Sequence, residues 1–140
     1  MTRKLGRWTA GIAAAVAGVV LAVSGTSSAG NADTPTILDI MEEGHSGKKS
    51  LINQVKNAVK DEKWADADKP AAKLKTFGEA LGKNTPEKGS KESWAKLSAV
   101  YKTDTAAIAT AVEKKDKAAA EAALAKIGKA CQTCHDVHQP

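Results

Sequence analysis

The chain has 140 residues, 42% hydrophobic and only 4% aromatic, with 21 basic and 16 acidic side chains and a formal net charge of +5. That length suits one domain and excludes a large multi-domain enzyme. Two cysteines exclude a disulfide scaffold, the apolar share excludes a disordered chain, and the wealth of alanine and lysine favours helix over sheet.

Residues 1 to 32 contain no acidic side chain. Arg3, Lys4 and Arg7 come first, an apolar run from Ala10 to Val23 follows, and a small, polar stretch from Ser24 to Ala32 closes the segment. Basic, apolar and small-residue regions in that order read as a secretory signal peptide, and cleavage after Ala29 or after Ala32 satisfies the small-x-small rule. The apolar run, about 14 residues, is short against the roughly 20 of a membrane span; an uncleaved N-terminal anchor is the alternative. Three of the 21 basic residues and none of the acidic ones lie in this leader, so the domain from 33 to 140 carries 18 basic and 16 acidic residues, a net +2. No basic stripe interleaved with aromatics remains, so nucleic acid is not an expected partner. Export implies a periplasmic or otherwise external, oxidising compartment, with no stable membrane insertion after cleavage.

Four helical stretches follow. Thr34 and Pro35 read as an N-cap and a first-position proline. Ile37, Leu38, Ile40, Met41, Leu51, Ile52, Val55 and Val59 then recur at three- and four-residue steps. Gly44 and Gly47 weaken the middle of this stretch, marking a bend or the close approach of something flat and bulky. The second stretch runs from about Trp64 to Leu81, with Ala71, Leu74, Phe77 and Leu81 on one face; Pro70 starts its regular part near Asp68 or kinks it. Gly82 to Gly89 reads as loop. Ser90 caps a third helix with Trp94, Leu97, Tyr101, Ile108 and Val112 in its stripe. The fourth begins near Asp116 and carries Leu124, Ile127, Cys131 and Cys134. No run alternates with period two, so no strands are expected. Four amphipathic helices joined by short loops predict an all-α antiparallel four-helix bundle.

The one specific motif is Cys131-Gln132-Thr133-Cys134-His135, the C-x-x-C-H signal of covalent c-type haem attachment. Helical positions i and i+3 share a face, so both thiols can reach the two vinyl groups of one porphyrin, and the histidine that follows can turn beneath the ring to bind iron. Three other readings of the cysteines are weaker. A thioredoxin-like pair needs a βαβ context, zinc needs four ligands where only His45 and His138 remain, and a disulfide within one helical turn is awkward.

With its motif on the last helix, the sequence resembles the class II c-type cytochromes, the cytochrome c prime group; most small c-type cytochromes carry the motif near the N-terminus. The resemblance covers essentially the whole domain and extends to Trp94 opening the third helix after the Pro86-Glu87-Lys88-Gly89 loop. It implies one covalent haem c on the C-terminal helix, held by Cys131 and Cys134, with His135 as the proximal ligand. It also implies that the first helix crosses the other face of the haem. Members with methionine there carry single electrons; members with an apolar residue bind small gases such as nitric oxide and carbon monoxide through an open iron. Met41 is the leading distal candidate here. His45, one turn on and on the same face, is the second, and Leu38 packs over the iron if neither ligates. The gas-binding members carry an arginine near the start of the first helix beside a haem propionate. No basic residue lies between Asp33 and Ile40, which leaves that role to Lys48 or Lys49.

Of the remaining residues, Trp94 is the best candidate to line the haem pocket, His138 reads as a surface residue, and Asp136 as solvated. No acid–base constellation is visible, so enzymatic activity is not expected. The resulting expectation is a periplasmic monohaem electron carrier that docks on redox partner proteins and is open to homodimer formation, with gas binding as the alternative.

Overall fold

The computed structural model describes residues 34–139; the expected leader and its expected cleavage site lie outside the described residues. Five α-helices account for 77% of the described residues, and there is no strand among them. They are α1 (Ile37–His45), α2 (Leu51–Lys60), α3 (Trp64–Leu81), α4 (Lys91–Glu113) and α5 (Lys117–His138). No helix among them is long and apolar enough to cross a membrane.

The first expected helix is two helices. Thr36, rather than Thr34, is the N-cap of α1. Its hydroxyl accepts from the Asp39 backbone N–H at 3.1 Å while its own N–H and hydroxyl donate to the Asp39 carboxylate, a reciprocal cap with aspartate in the usual glutamate position. The chain leaves the helix at Ser46. Gly47 adopts φ +76°, a left-handed conformation that glycine reaches without steric cost. Gly44 serves close approach instead: a β-carbon there would stand 3.4 Å from the Phe77 ring of α3. Both readings of the two glycines, bend and flat neighbour, are thus met, one by each residue.

α2 and α4 end alike. Glu62 and Lys115, at φ 57° and 54°, follow the helix caps, and the next backbone N–H groups, of Lys63 and Asp116, return to the carbonyls of Ala58 and Ala111. This closure satisfies carbonyls that the helix end would leave open. The Lys117 ammonium joins the two turns, donating to the Lys60 carbonyl and to Glu62. α3 spans Trp64 to Leu81 as expected, and it is helical from Trp64 on rather than regular only from Asp68. Pro70 sits buried within it, with no N–H to offer the Asp66 carbonyl. Ser90 caps α4 as expected, and α5 begins at Asp116, which is its cap; the two side chains accept from the backbone N–H groups of Ser93 and Ala119.

The core is the stripe that the spacing predicts. Ile40, Val55, Val59, Leu74, Leu81, Ile108 and Ile127 are fully buried, with Phe77, Trp94, Tyr101 and Val112 around them. α3 lies between α2 and α4, and α4 packs on α5, which also meets α2. The α3–α4 contact is close: a β-carbon on Gly78 would fall 2.1 Å from the Thr105 hydroxyl oxygen. Leu38 departs from the stripe and is 64% exposed.

Candidate functional site

On α1, Ile40 and Gly44 are buried. The next stripe round the helix, Met41 and His45, turns to a cavity shared with α5. That cavity brings Met41 and His45 together with Cys131, Cys134 and His135, and Tyr101 of α4 completes its wall. A larger cavity of about 560 Å³ adjoins it between α2 and α5 and shares His45, Ile127 and Cys131 with it. That volume is in the range of ordinary small-molecule sites, roughly 300–1,000 Å³. Its floor is apolar, formed by Ile52, Leu124 and Ile127. Gly128, three residues before Cys131 and therefore on the same helical face, lines it, and a β-carbon there would meet no atom within 4 Å. The face that bears the thiols is thus left open beside them, a fit to a flat group lying along α5.

The thiols themselves are half-buried and unbridged. Cys131 donates to the Ile127 carbonyl one turn back, at 3.1 Å. Burial pushes both thiols above their ordinary range. A redox-active cysteine is shifted the opposite way, so the local chemistry speaks against a thioredoxin-like pair. Among the described residues no three His, Cys, Asp or Glu side chains are gathered as a metal-ion set. Haem iron requires no such set, because the ring supplies its equatorial nitrogens and the protein only the axial ones.

His45 is engaged rather than solvated. Its Nε2 lies 2.8 Å from the Tyr101 hydroxyl, with the rings edge to face at 5.5 Å. Burial, and then the charge that nearby His135 carries when protonated, hold His45 below the ordinary histidine range. Burial likewise pushes the Tyr101 phenol up. A neutral imidazole facing a protonated phenol is the state both shifts favour, with the phenol donating to Nε2.

Three expectations are corrected by position. Trp94 does not line either cavity. It is buried where α4 leaves the 82–90 loop, its indole N–H donating to the Asn84 carbonyl at 2.8 Å. Leu38 points away from the site into solvent. His138 is buried, not on the surface: Nδ1 donates to the Lys88 carbonyl at 2.7 Å, Nε2 lies 3.1 Å from the Ser93 hydroxyl, and the ring packs edge-on against Trp94 at 5.2 Å. Lys48 and Lys49 stand exposed in the α1–α2 loop and line neither cavity. Asp136 is exposed and accepts from Gln132.

The sequence reading passed over Lys56, Lys60 and Gly128, which line the larger cavity, and the pairing of Tyr101 with His45. Gly128 was within reach of the helical period, three residues before Cys131; the others depend on which helices meet. No family model, curated protein or solved structure matches the chain, so a functional reading rests on the site alone.

Proposed function

We propose that this protein is an exported monohaem c-type cytochrome that carries single electrons. We further propose that α1 and α2 together act as the first member of an antiparallel four-helix bundle. The observation that carries the reading is the meeting, at one cavity, of Met41 and His45 from α1 with Cys131, Cys134 and His135 from α5. When bound, the haem iron supplies a one-electron couple. Cys131 and Cys134 tether the ring by thioethers, and His135 is the proximal ligand.

Met41 is the distal ligand in this reading. The hydrogen bond to Tyr101 occupies His45 Nε2, whereas the Met41 thioether lines the same cavity with no such commitment. The apolar surround of Leu97, Tyr101 and Ile127 excludes water and tunes the potential. Docking to redox partners would rest on local lysine patches, since the net charge is small.

One observation favours a second reading, an open iron that binds a small gas. Tyr101 lines that cavity, and its hydroxyl, on leaving His45 Nε2, would donate to a diatomic ligand.

The deciding measurement is the visible spectrum of the purified ferrous protein before and after carbon monoxide. A pigment that stays attached in acid acetone and ignores carbon monoxide supports the electron carrier, and Met41→Leu should then open the iron to the gas. A high-spin spectrum that shifts on adding carbon monoxide to the wild type replaces it with gas binding. A colourless protein overturns both.

A further inference from the structure

Met41 and His135 reach the small cavity from different helices, and among the described residues no hydrogen bond or ion pair joins α1 directly to α5. Their separation is set by other parts of the chain. The end of α5 needs outside support, because His135 belongs to its last turn. α2 and α4 close with a left-handed residue, whereas Gln139, the cap of α5, is extended and returns a single N–H, to the His135 carbonyl at 3.0 Å. The His138 ring supplies the hold instead, through its bonds to Lys88 and Ser93 and its edge-on contact with Trp94. The Trp94 indole N–H donates to the Asn84 backbone carbonyl, and the Asn84 side-chain amide donates to the Pro35 carbonyl at 3.1 Å, one residue before the α1 cap. A second bond from that amide, to the Ala80 carbonyl, fixes Asn84 on the last turn of α3. His138, Trp94 and Asn84 form one run of contacts from the end of α5 to the start of α1.

We propose that this run is the spacer between the two ligand-bearing helices, with His138 positioning His135 and Asn84 positioning Met41. The inference rests on the haem reading above and deepens it. It gives Trp94, which lines neither cavity, a part in the site at one remove. Thioether sulfur is a weak lone-pair donor, so a slackened spacer should open the iron on the Met41 side first.

The test is carbon monoxide binding to the ferrous holoprotein, read in the visible spectrum, with thermal midpoints measured alongside. His138→Ala and Asn84→Ala should each take up the gas at concentrations that leave the wild type unchanged. Asn84→Ala keeps the backbone carbonyl that Trp94 uses. His138→Asn, whose amide can still donate to the Lys88 carbonyl, should return towards the wild type. Asp116→Ala uncaps α5 at its far end; it should lower the thermal midpoint and leave the spectrum unchanged, a separation that a merely structural role would not give. Ser93→Ala takes one partner from His138 with less disturbance of the fold, and it carries the test if His138→Ala is not exported. A wild type that lacks covalent haem, or that binds carbon monoxide, overturns the electron-carrier reading and this assignment with it. A wild type closed to the gas beside a His138 or Asn84 variant equally closed overturns the assignment alone, as does an Asp116 variant that opens as they do.

Discussion

Two parts of α5, ten residues apart, are built on opposite terms. At His138 both ring nitrogens have partners, the ring lies on Trp94, and a β-carbon on Gly89 would stand 2.4 Å from Nδ1. At Gly128 nothing approaches at all. The contrast explains how a helix can leave one face unpacked in its middle. Its N-terminus is held by the Asp116 cap and the turn that Lys117 bridges, and its C-terminus by the His138 contacts. Anchoring beyond the cavity on both sides keeps the thiol-bearing face in place without filling the space before it.

The largest expected effect breaks the tight end. Trp94→Ala removes a buried aromatic together with the indole hydrogen bond, at a cost of about 3–5 kcal/mol, read as a fall in the midpoint of urea unfolding. Gly89→Ala combines φ +89° with the contact on His138. Strain and clash together should cost about 2–3 kcal/mol, and His138→Ala made in addition should recover part of it.

The open part should respond in the other direction. Gly128→Ala adds a methyl group to free space in mid-helix and should gain up to about 1 kcal/mol. Gly128→Phe should fold as well and, on the proposed haem reading, lower the haem-to-protein ratio. Full haem content in that variant would mean that the cavity floor is not where the ring lies.

The smallest effect concerns α1, which presents Met41 and His45 from only nine residues. Thr36→Ala removes its cap and should cost roughly 0.5–1 kcal/mol. The side chain and then the backbone of Thr36 hold the Asp39 carboxyl below its ordinary 3.8. The folded state therefore binds this proton less readily than the unfolded one. The stabilisation is complete above about pH 4 and is lost as pH falls through the lower folded value. Asp39→Asn should lower thermal stability in the neutral range and leave the acid limit little changed, so that the acid limb of stability against pH flattens.

Much of the site was legible in the chain. The two thiols on one helical face followed from a three-residue spacing, and Met41 with His45 on another from a four-residue one. What could not be read was where the aromatics go. Trp94 stands next to a loop in the sequence, and nothing local shows that His138, 44 residues later, closes on it. The exposed Leu38 was equally hidden, because its spacing to Met41 is as regular as that of Ile37.

Local rules reach about one helical turn, and within that reach the sequence determined a great deal: helices rather than strands, the cap at Ser90, the start of α5 near Asp116, and the C-x-x-C-H face of α5. Tertiary structure decided everything that joins distant turns. It split the first helix at Ser46–Ser50, bound His45 to Tyr101, buried His138 against Lys88, and set Lys56 and Lys60 across from Cys131. These outcomes depend on which faces meet and how closely. Helices of similar amphipathic pattern can be apposed in several ways, and only packing distances such as those at Gly44, Gly78 and Gly89 select one.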